Sequence, residues 1–273
     1  MNVAIAAPRP IGTALEPPQV PHTEFLGLRF YLGSQADAVE LLIGQTGAPY
    51  RYVVTPNAYD VVAAHDSSKQ LLPIYRDAWL SVCDSRIVRA LARLERRALP
   101  LIPGSDLVAE LLAKLNEDDR RRAAKRILIV GPPRQTATAL RAVFPNLDLE
   151  VMPAPAGLAH SAEMRLEVAR ACLNRPWDIA LLCVGFPAQG LIARQLAELG
   201  CHSGIALCVG ASVDFLTGVQ KRAPQRLQRL GLEWAYRLVT QPRRLWRRYL
   251  IESPKIAHIF LKARLARMRP TPQ

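Results

Sequence analysis

At 273 residues with 50% apolar content, the chain is long enough for one substantial core or two small ones, and its net charge is +13. Its most apolar run, 179–186, falls far short of the about 20 residues that a membrane span needs, so any membrane contact should be peripheral. The five cysteines show no C-x-x-C spacing and the five histidines are scattered, which argues for buried free thiols and against a structural zinc.

Residues 1–24 hold Pro8, Pro10, Pro17, Pro18 and Pro21 and are expected to be a flexible extension. The opening Met-Asn-Val-Ala-Ile-Ala-Ala has no basic n-region, so no signal peptide and a cytoplasmic location are expected. Beyond it, apolar strand patterns at 52–54, 80–83, 127–130, 149–151, 179–184 and 205–209 alternate with helical patterns at 106–115, 135–143, 161–173 and 191–199. This alternation predicts an α/β fold with a Rossmann-like parallel sheet flanked by helices. The runs at 127, 179 and 205 are continuously apolar, as central strands covered on both faces are. A charged stretch at 116–126 divides the body, 25–218, into two halves, and no internal repeat is evident.

Parallel sheets bind ligands beyond the carboxyl ends of their strands, which directs attention to the residues after each run. Asp84 ends one strand, where it is either a general base with a raised pKa or the cap of the next helix. Gly104-Ser105-Asp106 opens a helix, with Ser105 or Asp106 as its expected N-cap and first-turn N–H groups that suit a phosphate. Gly131-Pro132-Pro133 lacks the glycines of a P-loop or a dinucleotide fingerprint. Gln189 offers an amide after an apolar strand, and Asp214 occupies the equivalent place one strand later, as a ribose acceptor or a cap. No carboxylate pair stands at a strand end, so no bound metal is expected, and cationic side chains must neutralise any diphosphate.

Nearly all of the net charge lies at the C-terminal end. Between Lys221 and Arg269 there are 14 Lys/Arg and two acids, a surplus of 14 − 2 = +12 out of +13. At about 100° per residue, Arg243, Arg244, Arg247 and Arg248 share one face of a helix, with Leu245, Trp246, Tyr249 and Leu250 opposite. The segment 219–273 is therefore expected to be a basic, amphipathic, helical appendage that binds an anionic membrane surface. Nucleic acid is disfavoured as a partner, because no recognisable reader accompanies the charge.

Taken in order, Val184 to Gln189, Gly210 to Gly218, Arg222-Ala223-Pro224, Gly231 to Leu238 and Pro242-Arg243-Arg244 resemble the WecG/TagA/CpsF family of bacterial glycosyltransferases. Thr55-Pro56-Asn57, Asp84 and Gly104-Ser105-Asp106-Leu107 match its N-terminal half, so that the resemblance covers roughly residues 25–255. It implies an inverting, metal-independent transfer with no cofactor beyond the nucleotide-sugar donor. The implied donor is a UDP-linked sugar of N-acetylmannosamine, N-acetylmannosaminuronic acid or glucose type. The implied acceptor is a polyprenyl-diphosphate-linked saccharide at the inner face of the plasma membrane, in the synthesis of an exopolysaccharide or other cell-surface polymer. Asp84 matches the family's general base, Thr55, Asn57 and Gln189 match pocket residues, and Arg237, Arg244 and Arg247 match arginines on an appendage that folds over the site at the membrane. A homo-oligomer is compatible with this reading.

The chain departs from the family pattern at Asp84-Ser85-Arg86-Ile87, where Asp-Gly-x-Gly is usual, and at Pro187-Ala188-Gln189-Gly190, where Pro-Lys-Gln-Glu is usual. An arginine usual before the Gly-x-Asp motif stands here as Leu101 or its neighbour, and Arg86 is the candidate to replace it. The alternative from another class is a non-catalytic α/β module that docks on membranes or partners through its basic tail.

Overall fold

The computed structural model describes residues 20–47, 49–117, 125–224, 226–227 and 232–268. Six strands form one parallel sheet in the order β4-β3-β8-β7-β5-β6: β3 (Arg51–Val54), β4 (Leu80–Ser81), β5 (Arg126–Gly131), β6 (Asp148–Pro153), β7 (Ile179–Leu182) and β8 (Ile205–Cys208). The α/β expectation and the six strand positions therefore stand. The register aligns Leu80, Val53, Leu207, Leu181, Ile129 and Val151 in one row across the sheet. All six belong to one buried cluster, while the adjoining row of Val54, Cys208, Leu182, Val130 and Met152 belongs to the other. Alternation along each strand thus feeds two cores, one on each face, as doubly covered parallel strands require.

One face is covered by α1 (Gln35–Gly44), α5 (Gly104–Glu117) and α6 (Thr136–Val143). The other carries α2 (Ala58–His65), α3 (Leu72–Arg76), α4 (Arg86–Leu94), α7 (Ala162–Leu173) and α8 (Ala188–Glu198). The short α9 (Ser212–Leu216) follows β8. Because β8 hydrogen-bonds β3, the two halves of the chain share one continuous sheet. The charged stretch falls between the end of α5 and the start of β5, and 118–124 lie outside the described residues.

An antiparallel hairpin, β1 (His22–Phe25) and β2 (Leu28–Tyr31), begins inside the segment expected to be an extension, most of which lies outside the described residues. Leu26 and Gly27 both take positive φ (48° and 68°), the backbone of a tight two-residue hairpin turn. Phe25 and Phe30 are fully buried. A four-residue strand of mixed polar and apolar residues, His22 to Phe25, offers little for sequence patterning to detect.

The basic segment is not one two-faced helix. It forms α10 (Glu233–Thr240), α11 (Pro242–Trp246), a π-helical turn over Arg247–Glu252 and α12 (Lys255–Met268). Pro242 starts a new helix, and the Ser253 N–H donates to the Arg248 carbonyl at 2.8 Å, an i→i+5 bond that widens the turn and shifts its phase. In consequence Leu245 is buried and Trp246 is half-exposed, while Arg248, expected on the outward arginine face, turns inward. Ile256 and Phe260 of α12 enter the core, with the Phe260 ring 6.3 Å from that of Phe25. Arg267 pairs with Glu95 beyond them. Among the described residues no helix is long and apolar enough to cross a membrane.

Candidate active site

The strand ends bring together residues far apart in the chain. After β4, the Asp84 N–H donates to the Pro56 carbonyl (3.2 Å), and the Ile102 N–H donates to the Cys83 carbonyl (2.9 Å). The next residue, Ser85, caps α4 by accepting from the Val88 N–H at 3.2 Å. The capping duty that Asp84 could have held is therefore filled by its neighbour. The N–H of Gly104, at the start of α5, is directed at the Asp84 carboxylate.

Burial is the dominant influence on Asp84 and pushes its pKa up to about 7. The Gly104 N–H and the Arg237 guanidinium pull against that rise, while Glu233 and Asp60 add to it. A carboxylate balanced near neutrality is half-ionised where a general base is most useful.

Helix α5 begins at Gly104, so Ser105 and Asp106 occupy its first turn and neither is its N-cap. Asp106 instead forms an ion pair with Arg222. A Cβ on Gly104 would lie 3.3 Å from both Oγ1 and Cγ2 of Thr55, so glycine lets the helix start close against β3. Thr55 donates its hydroxyl to the Cys208 carbonyl (3.0 Å), which joins the ends of β3 and β8.

Asn57 and Gln189 share one logic. The Asn57 Oδ1 accepts from the N–H groups of Tyr59 (3.0 Å) and Asp60 (3.4 Å), capping α2. The Gln189 Oε1 accepts from the Gly210 N–H at 2.8 Å. Each amide has spent its carbonyl on the backbone and keeps its NH₂ for a ligand, an arrangement suited to an oxygen-rich guest. Thr55, Asp60, Tyr75, Phe186 and Gln189 line one small cleft.

The unusual residues after Pro187 also find a cause. Ala188 is buried, and a Cβ on Gly190 would come within 2.5 Å of the Ile74 Cγ2, so close packing of α8 on α3 leaves no room for long side chains.

Three arginines of the C-terminal quarter reach this region. Arg237 pairs with Glu233 at 2.8 Å and lies 4.8 Å from the Phe215 ring centroid. Arg222, bound to Asp106, also feels Glu233 and Asp84, and among the described residues its buried Nε has no partner. Arg248 lies 4.8 Å above the Tyr59 ring, which itself meets Phe186 edge-on at 5.2 Å.

Other candidates are not gathered. Arg86 is exposed on the first turn of α4, and Arg247 is exposed near Glu252. The Asp214 carboxylate accepts from the Gln220 Nε2 at 2.9 Å within its own loop. The Arg244 side chain lies outside the described residues. Asp60 had no role in the sequence reading; Arg222 and Glu233 entered it only inside the family-like stretches 222–224 and 231–238, and Arg248 only on the outward arginine face of the tail. Among the described residues no three His, Cys, Asp or Glu side chains cluster as a metal site.

A family-wide sequence profile described as the glycosyl transferase WecG/TagA/CpsF family matches residues 23–270. A protein of Bacillus spizizenii named N-acetylglucosaminyldiphosphoundecaprenol N-acetyl-beta-D-mannosaminyltransferase is 30% identical over 174 residues, 62% of this chain. The match likewise spans 62% of that relative's length.

Proposed function

Because this chain belongs to the WecG/TagA/CpsF family of glycosyl transferases, we propose that it moves a sugar from a nucleotide-sugar to a polyprenyl-diphosphate-linked saccharide. The relative's name, which specifies an N-acetylmannosaminyl group and a diphosphoundecaprenol acceptor, supports a UDP-linked N-acetylmannosamine type of donor. The product would be a precursor of an exopolysaccharide or other cell-surface polymer. The observation that carries the reading is Asp84: a carboxylate just past the end of β4, lifted to about 7 by burial and met by the N–H of a helix start and the charge of an arginine.

In the proposed reaction Asp84 takes the proton of the acceptor hydroxyl as that oxygen attacks the anomeric carbon. The bond to the nucleoside diphosphate breaks on the opposite face, and its electron pair leaves with the diphosphate, so the configuration inverts. Arg237 and Arg222 stabilise the charge on the departing group, a task that guanidinium groups perform without a metal. Gln189 and Asn57 donate their NH₂ groups to donor oxygens, and Thr55 holds the floor of the cleft.

The membrane side of the proposal rests on the segment that carries Arg243 and Arg247, exposed beside the half-exposed Trp246, Leu250 and Ile251. Cations next to exposed indole and aliphatic side chains suit an anionic interface. The site would then meet its lipid-linked acceptor at the inner face of the plasma membrane. The deciding experiment presents UDP-sugars and a polyprenyl-diphosphate-linked acceptor to the protein and follows UDP release. A non-catalytic docking module would bind vesicles yet neither bind nor turn over a nucleotide-sugar.

A further inference from the structure

The cleft contains a buried polar atom that the fold itself does not satisfy. Asp60 is 6% exposed. Its Oδ2 accepts the Asn57 N–H at 2.9 Å and completes the capping box of α2. Among the described residues its buried Oδ1 has no partner, and the residue lines the same cleft as Thr55 and Gln189. Buried acceptors are rarely left unpaired, least of all on a charged group.

A complementary group lies close by. Arg248, carried by the π-helical turn, rests on the ring of Tyr59, the residue before Asp60, and attracts Asp60 electrostatically; among the described residues its buried Nε has no partner. Burial lifts Asp60 to about 6, so above neutral pH it is ionised and can only accept. One acceptor at the cleft and one donor in its electrostatic neighbourhood therefore stand unsatisfied among the described residues.

We propose that Asp60 and Arg248 together recognise a neutral group of the sugar-nucleotide that donates a hydrogen to the Asp60 Oδ1 and accepts one from the Arg248 Nε. A sugar hydroxyl or an amide has that chemistry. A phosphate or carboxylate does not, since it brings no hydrogen and is repelled by Asp60. The cleft would thus be divided, with the Asn57 and Gln189 NH₂ groups toward anionic oxygens and Asp60 marking an end kept for a neutral part of the ligand. This inference rests on the sugar-transfer reading and assigns specificity to two residues that the reaction itself does not use.

The test is Asp60→Asn. The cap requires an acceptor toward the Asn57 N–H, so the new carbonyl replaces Oδ2 and an NH₂ replaces Oδ1. The fold is kept, while the atom facing the cleft changes from acceptor to donor. Calorimetric titration with UDP, UDP-glucose and UDP-N-acetylmannosamine should show binding weakened about 10- to 100-fold, with no fall in Tm. A loss already complete with UDP assigns the contact to the nucleoside, and a loss confined to the sugar-bearing probes assigns it to the sugar; either upholds the inference. Arg248→Gln should weaken the same probe about tenfold, and it decides alone if Asp60→Asn does not fold. Variants that bind all three probes as tightly as the unaltered chain overturn the pair. If the unaltered chain binds none of the three, this inference and the sugar-transfer reading fall together.

Discussion

Asp84→Asn separates the catalytic from the structural consequence of one buried carboxylate. An ordinary aspartate titrates near 3.9, and Asp84 is lifted to about 7. The folded state therefore holds a proton that the unfolded chain has lost between about pH 4 and pH 7, and the stability contributed by Asp84 falls as pH rises through that window. Three units correspond to about 4 kcal/mol, an upper bound that solvent at the mouth of the cleft reduces to roughly 1–3 kcal/mol. The amide carries no charge and escapes this cost. Urea unfolding should find Asp84→Asn more stable than the unaltered chain by that amount at pH 8, with the gap closing toward pH 4. In the same protein, turnover should drop about 10²- to 10⁴-fold, because the proton acceptor is gone. The unaltered enzyme should show kcat/KM rising with pH up to a midpoint near 7. A stability difference that does not change between pH 4 and pH 8 would refute burial as the cause of the raised pKa, and undiminished turnover would remove Asp84 as the base.

Arg237→Ala removes a charge that holds the Asp84 pKa down, so the midpoint of the kcat/KM profile should move upward, with kcat lowered about 10²-fold or more if Arg237 also serves the leaving group. Phe260→Ala vacates a site that is 4% exposed against Phe25 and should cost about 3–5 kcal/mol in urea unfolding; a negligible cost would mean that α12 is not docked on the body. EDTA should leave turnover unchanged, and strong inhibition reversed by Mg²⁺ or Mn²⁺ would show that the leaving diphosphate is neutralised by a metal. Trp246→Ala should weaken binding to anionic vesicles while leaving UDP-sugar affinity intact, since the indole is 48% exposed and lines no part of the cleft.

The sequence alone was enough to read the parallel sheet, because strands buried on both faces must be apolar along their length, and β7, β8 and the 127–130 run of β5 are. It also marked Asp84 and Gln189, since ligands of such sheets meet residues that directly follow the strands, while Thr55, Asn57 and Arg237 were marked by the resemblance to the family. The hairpin at 22–31 escaped notice because its short strands mix polar and apolar residues, unlike the equally short but wholly apolar β7 and β8. The tail was legible as charge but not as geometry. A helical projection assumes one unbroken α-helix, whereas Pro242 and the i→i+5 turn reset the phase and sent Arg248 inward. Tertiary structure alone decided which ionisable groups meet. Asp84 and Arg237 lie far apart along the chain, as do Asp106 and Arg222 and Asp60 and Arg248; each pair is joined by the order β4-β3-β8-β7 and the fold-back of the C-terminal helices. The shift that readies Asp84 for chemistry is likewise a property of the assembled cleft, because burial and neighbouring charge exist only once the strands and the tail are packed.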